Sequence, residues 1–249
     1  MNFGAMTFTF SNDERLPLYQ RLRDELAANV AENRWRPGEA IPTEAELVSY
    51  YGVSIGTVRK AIDKLVAEGL LERFQGRGTF VRRASFDNAL FRFFRFQSES
   101  GEPLAPEGRV LSREVVEAPL QVTQGLQIAP GSSAIHLTRL RLINQRPLLS
   151  ESIWLPKDKF SALLDVPLSE FGNLLYPFYE ERVGCAVASA QEYLTVEPVG
   201  AKDAELLQIA EGTAVITVER VAFGYDQQPL EWRRYCGLAS HFRYHIEIR

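Results

Sequence analysis

The sequence predicts an α+β protein in two parts. A small N-terminal helical unit is closed by a short hairpin, and a larger C-terminal unit is an antiparallel sheet with helices between its strands. Three observations carry this reading. Apolar residues recur at helical spacing from Leu18 to Val66. From Arg109 onward, seven segments alternate apolar and polar residues at period two. The chain has 249 residues, 45% hydrophobic and 24% charged, a globular composition long enough for two domains of ordinary size.

The same figures exclude several classes. No apolar run approaches the roughly 18 residues that a membrane helix needs. Met1–Phe10 shows no basic segment followed by an apolar one, so a cytoplasmic protein without membrane contact is expected. The two cysteines, Cys185 and Cys236, are far apart and lack metal-type spacing, which excludes a disulfide scaffold and suits a reducing compartment. Net charge is −4, unlike a protein that coats nucleic acid by bulk charge. The charge is uneven, however. Residues 54–83 hold seven basic and three acidic residues, whereas residues 84–249 hold 16 basic and 21 acidic. A basic segment beside an acidic remainder points to a local polyanion contact.

In the first part, Leu18, Leu22, Leu26 and Val30 form the stripe of an amphipathic helix over 18–32, which Arg36-Pro37-Gly38 breaks. Thr43, with Glu46 three residues on, is a capping-box pattern that starts a short helix ending near Tyr51. Gly52 turns the chain. Ser54 then opens a helix with the stripe Val58, Ile62, Leu65 and Val66, stopped by Gly69. Leu70–Phe74 and Thr79–Arg82 are short strands around Gln75-Gly76-Arg77-Gly78. This order is that of a winged helix-turn-helix, whose helix after the turn lies in a DNA major groove. Ser54, Thr57, Arg59 and Lys60 fall in its first two turns, where hydroxyls and cations meet phosphates and bases. The glycines flanking Arg77 let the hairpin tip approach a groove while the arginine reaches in. A basic helix is also how an ordinary solvated face looks; the Gly-Arg-Gly wing favours DNA.

These residues carry a resemblance. Pro17-Leu18-Tyr19-Gln20, Pro42-Thr43-Glu44, Thr57-Val58-Arg59-Lys60-Ala61, Leu65 through Glu68-Gly69-Leu70-Leu71, and Gly76-Arg77-Gly78-Thr79-Phe80-Val81 resemble the DNA-binding domain of the GntR family of bacterial transcription regulators. The resemblance implies DNA contacts from Thr43, Ser54, Thr57, Arg59 and Lys60, with Gly76, Arg77 and Gly78 as a minor-groove wing. Family members usually have arginine where this chain has Ala45 and Ile55, and those arginines commonly read guanine. An operator unlike the family's usual one is therefore expected, with more weight on Arg59, Lys60 and the wing.

Past Arg83, residues 84–101 are rich in phenylalanine and arginine (Phe86, Phe91, Phe93, Phe94, Phe96), without a helical stripe, and are expected to link into the second part. Strands are predicted over 109–118, 134–143, 148–155, 186–196, 214–223, 230–235 and 241–248, and helices over 122–128, 174–182 and 201–209. Turn-type connectors at Asn144-Gln145-Arg146-Pro147 and Tyr225–Pro229 imply antiparallel neighbours. Period two places Ile135, Leu137, Arg139, Arg141 and Ile143 on one face of their strand. Two arginines among apolar neighbours need an anion. An external phosphate or carboxylate is one candidate, and Glu151 or Glu231 of the chain itself is the other.

Arg139-Leu140-Arg141 with Arg146-Pro147 and Glu151, Leu175-Tyr176-Pro177 with Gly184, and Pro229-Leu230-Glu231 resemble the UTRA domain of HutC-type GntR regulators, similar in fold to chorismate lyase. That resemblance implies an effector site at Arg139, Arg141, Glu151, Tyr176, Glu231 and Tyr235. Cys236-Gly237-Leu238-Ala239-Ser240 departs from the family's aspartate-arginine pattern. The domains expected are 11–83 for DNA, 84–101 as linker and 102–249 for effector binding and dimerisation.

An enzyme is the rival class, but none of Gly-x-x-x-x-Gly-Lys, Gly-x-Ser-x-Gly or His-Glu-x-x-His is present, so no catalytic residue is assigned. His241 and His245 share a predicted strand face without a third ligand, so neither metal nor cofactor is expected. Cys185 could be a redox thiol, though a small buried cysteine explains it as well. A constitutive DNA-binding protein with an empty second domain is a further alternative. The reading adopted is a homodimeric repressor on a near-palindromic double-stranded operator, released when an acidic metabolite binds Arg139 and Arg141.

Overall fold

The computed structural model describes residues 15–83 and 106–242. Met1–Phe10, the phenylalanines from Phe86 to Phe96, His245 and most of the strand expected over 241–248 lie outside the described residues. The chain divides into two compact units after Ala84.

The first unit runs α1 (Leu18–Ala31), α2 (Glu44–Tyr51), α3 (Ile55–Ala67), β1 (Leu71–Phe74) and β2 (Gly78–Val81). Leu22, Leu26 and Val30 of α1 are buried, as are Val58, Ala61, Ile62 and Leu65 of α3, and the two helices pack together. The predicted capping box is present: the Thr43 side chain accepts from the Glu46 backbone, whose carboxylate accepts in return from the Thr43 N–H at 2.7 Å. Residues 38–41 run beside β2, with Ile41 N donating to Thr79 O at 2.9 Å and Val81 N to Glu39 O at 2.8 Å. The wing is thereby tied to the chain that enters α2.

The second unit is a six-stranded antiparallel sheet of β3 (Glu107–Glu117), β4 (Ser133–Ile143), β5 (Arg146–Pro156), β6 (Val187–Pro198), β7 (Ala214–Gly224) and β8 (Pro229–Leu238). The spatial order is β3-β4-β5-β8-β7-β6, so the last strand sits at the centre beside β5. Asn144 and Gln145, both at positive φ, form the two-residue turn that joins β4 to β5. One sheet face is covered by α5 (Lys157–Phe160) and α6 (Leu175–Val183): Ile135, Leu137, Ile153 and Leu155 share a core with Phe160, Phe178 and Tyr179. On the other face, α4 (Leu120–Leu126) packs Val122 and Leu126 onto Trp154 and Trp232, and α7 (Ala201–Leu207) packs Ala204 and Leu207 onto Val215 and Cys236.

One element differs from expectation. Ala239–His241 is a single 3-10 turn rather than the start of a strand, so His241 does not sit on a strand face. Two 3-10 turns lie at Ser161–Asp165 and Leu168–Glu170, where the sequence carries no periodicity that predicts them.

Candidate functional site

Two clusters of polar residues stand out, one in each unit. In the first, the N-terminal half of α3 presents Ser54, Ile55, Gly56, Arg59 and Lys60 to solvent while Val58, Ala61 and Ile62 face the core. Ser54 and Thr57 cap the helix together, with Thr57 N donating to Ser54 Oγ at 3.2 Å and the two hydroxyls 2.8 Å apart. Arg59 Nε donates to Glu44 at 2.8 Å, and Arg73 pairs with Asp63 at 2.9 Å. Lys60 Nζ lies 4.0 Å above the Tyr19 ring. These exposed pairs hold the cations in place without neutralising them for a stronger partner, since exposed ion pairs are worth little.

The wing behaves as its glycines suggested. Gly76 and Gly78 take φ of 73° and 112°, a region that side chains rarely adopt. Arg77 between them is exposed, its guanidinium 5.4 Å from the Phe74 ring and 5.8 Å from the Phe80 ring. Every residue singled out for DNA contact except Thr57, which is partly covered, thus lies on exposed surface.

In the second unit, the cross-strand register assembles the other cluster. Arg139 stands opposite Glu151, which stands opposite Tyr235. One row along the same face, Ile153 stands opposite Arg233, Arg233 opposite Arg220, and Arg220 opposite Glu192. The apolar part of this same face packs beneath α6, whose Tyr176 and Tyr179 reach the cluster.

Glu231 is fully satisfied. It accepts a two-pronged pair from Arg233 (Nε at 2.8 Å, Nη2 at 2.7 Å) and the hydroxyls of Tyr176 at 3.1 Å and Tyr179 at 2.9 Å. Glu192 accepts from Arg220 Nε at 2.6 Å and from the Tyr235 hydroxyl at 3.3 Å. Glu151 is shared among three guanidinia: Arg233 donates to Oε1 at 3.2 Å, while Arg139 Nη1 and Arg141 Nε each lie 3.4 Å from Oε2.

The sharing leaves donors and one acceptor oxygen without a hydrogen bond. Arg139 Nε and Nη1, Arg141 Nε and Glu151 Oε2 are buried without a hydrogen-bond partner among the described residues. The remaining Arg139 and Arg141 donors go to neutral oxygens: Arg139 Nη2 to the Gly172 and Asn173 carbonyls at 2.9 and 2.7 Å, and Arg141 Nη1 to Asn173 at 2.8 Å. Burial by itself would push the Glu151 carboxyl up, but Arg141, Arg233 and Arg139 outweigh it and hold it down at about 2. Arg139 is left short: burial, with Arg141 and Arg233 beside it, outweighs its share of Glu151 and lowers it to about 10. One carboxylate carries a single charge against three guanidinia, so the arrangement favours the charged form of Glu151 more than that of Arg139.

The structure places Arg139, Arg141, Glu151, Tyr176, Glu231 and Tyr235 in one cluster and adds Arg220, Arg233, Tyr179 and Glu192. The question left open in the sequence, protein carboxylate or external anion, has a mixed outcome: Glu151 meets both strand arginines but does not exhaust their donors. Gly108 makes this packing possible. A Cβ there would fall 1.9 Å from Arg139 Nη2. Gly108→Ala is expected to displace that guanidinium and cost about 1–3 kcal/mol, read by equilibrium unfolding. An unchanged midpoint would show that Arg139 can move freely.

Comparison with known proteins identifies the two units. Residues 18–81 match the model described as bacterial regulatory proteins, gntR family, and residues 102–243 match the UTRA domain. Among curated relatives, a protein named "Probable fructoselysine utilization operon transcriptional repressor" from Escherichia coli (strain K12) is 31% identical over 86% of this chain and 87% of its own. The mannosyl-D-glycerate transport/metabolism system repressor MngR of the same strain is 32% identical over 88% of this chain and 90% of its own. Among solved structures, the ligand-binding domain of a protein described as a GntR-family transcriptional regulator from Bordetella bronchiseptica aligns with a TM-score of 0.56. It is 26% identical and covers 64% of this chain and 98% of that one. Fold and relatives define a DNA-binding transcription regulator rather than an enzyme. The chain belongs to the GntR family, with a UTRA domain as its second unit.

Proposed function

We propose that the chain is a repressor that binds a near-palindromic operator as a homodimer and releases it when a small acidic metabolite enters the arginine cluster. GntR regulators bind DNA and UTRA domains bind small-molecule effectors; the operator symmetry, the dimer, the acidic effector and work in the cytoplasm are the additions. The observation that carries the effector's charge is the buried surplus of cation. Four guanidinia (Arg139, Arg141, Arg220, Arg233) face three carboxylates (Glu151, Glu192, Glu231), and donors of Arg139 and Arg141 stay unmet. An anion would replace the Gly172 and Asn173 carbonyls as acceptor and gain charge-assisted bonds, about twice as strong as neutral ones. The names of two relatives point the same way, since fructoselysine and mannosylglycerate both carry a carboxylate.

On the DNA side, Thr43, Ser54, Thr57, Arg59, Lys60 and the wing Gly76-Arg77-Gly78 supply the contacts. Arg59→Ala is expected to weaken operator binding and to lower the salt slope by about one phosphate contact per protomer. An unchanged slope would remove Arg59 from the phosphate contacts.

The test of the whole proposal is a thermal-shift screen of sugar phosphates, sugar acids, organic acids and amino acids, with every stabilising compound retested for release of operator DNA. Preferential binding to the folded state must raise Tm. Acidic hits that weaken operator binding support the proposal. Hits that are exclusively neutral or cationic, or a chain that holds operator equally with and without every hit, would overturn it in favour of a constitutive DNA-binding protein.

A further inference from the structure

We infer that Ile55 reads the 5-methyl group of a thymine in the operator, so that this regulator selects its site in part by an apolar contact at the opening of α3. The inference rests on the reading that α3 enters a major groove. Ile55 is the first residue of α3 and is 43% exposed, an isoleucine left in water while Val58, Ala61, Ile62 and Leu65 of the same helix are buried. Ile55 and Arg59 are four residues apart and share a helix face. That face is outward: Arg59 reaches Glu44, the first residue of α2, at 2.8 Å, and Ala45 beside it is also exposed.

The other side chains at this end of the helix are engaged. Ser54 and Thr57 cap the helix, Arg59 holds Glu44, and Lys60 sits over Tyr19. Ile55 is the one large apolar side chain that α3 leaves exposed. Gly56 provides an independent sign of close approach. It has an ordinary helical backbone, and a Cβ there would meet only Ser54 Oγ at 3.9 Å, so neither conformation nor packing requires a glycine. A glycine inside a helix costs stability, and one that the fold does not need leaves room for something outside it. In a major groove the group that an isoleucine can recognise is the thymine methyl, since every other base-edge feature is a hydrogen-bond donor or acceptor.

The experiment uses the full chain and operators selected from random duplexes. Each thymine of the selected site is replaced in turn by uracil, which removes the methyl group alone. Binding is measured for the native chain, Ile55→Ala and Ile55→Arg. At one thymine per half-site, uracil is expected to weaken native binding about 4-fold, or about 15-fold when both half-sites are changed. Ile55→Ala should lose that sensitivity while still binding, and selection with Ile55→Arg should replace the thymine by guanine. Sensitivity to uracil that is equal in native and Ile55→Ala protein, or absent at every thymine, overturns the inference while leaving α3 as a groove reader. Failure to select any sequence, with binding that ignores salt, would instead overturn the groove reading itself.

Discussion

Glu151→Gln is expected to destabilise the second unit by about 3–5 kcal/mol, the range for removing one partner of a buried ion pair. Three guanidinia meet at this carboxylate, and Arg139 and Glu151 are both fully buried. The amide that replaces it leaves Arg139 and Arg141 mutually repelling without a compensating carboxylate, while Arg233 keeps its pair with Glu231. Urea unfolding followed through Trp154 and Trp232, both in this unit, reads the loss. Added phosphate or sulfate should restore more stability to the variant than to the native chain, because the cluster is then short of an anion. An unfolding midpoint equal to the native one would show that the arginines find other partners.

The same carboxylate contributes to the loss of stability in acid. Its folded value of about 2 lies below the ordinary glutamate value, so between the two the unfolded chain binds the proton and the folded chain does not. Stability from Glu151 is full above about pH 5 and is lost as pH falls toward 2. Glu151→Gln should flatten that part of the pH profile.

Arg141→Ala is expected to leave operator affinity within about twofold of native while abolishing release by the effector. Arg141 is in the second unit, remote in sequence from α3 and the wing, and it retains a trace of exposure where Arg139 has none. It donates to Asn173 and sits 3.4 Å from Glu151 Oε2, so it is placed to shift from these to an incoming anion. A coupling of ~1–3 kcal/mol corresponds to a 5–150-fold change in operator affinity, and the variant should show none of it. Normal release by Arg141→Ala would move the anion site elsewhere.

Much of this arrangement was legible in residue order because it is local. The capping box at Thr43 and Glu46, the stripe of α3, and the alternation that puts Arg139 and Arg141 on one face follow from helix and strand periods alone. Arg233 had a signal too, since it lies at period two between Glu231 and Tyr235 on one strand face. Arg220 and Glu192 had none. They join the cluster because β8 inserts between β5 and β7, a pairing between distant segments that periodicity does not encode. The Arg59–Glu44 pair likewise depends on how α2 docks on α3 across fifteen residues of sequence. The turns between α5 and α6 are shaped by Pro167 and by packing under Arg113, which donates to the Leu163 and Val166 carbonyls, rather than by a repeating pattern.

Binding of one partner must alter binding of the other if a sensed anion governs the groove reader, and the two effects must be equal. The direct measurement is a pair of titrations on the native chain: operator affinity with and without saturating effector, and effector affinity with and without saturating operator. The same factor, between about 5 and 150, is expected in both directions. Two ligands that bind tightly but independently, each with an affinity unmoved by the other, would contradict it.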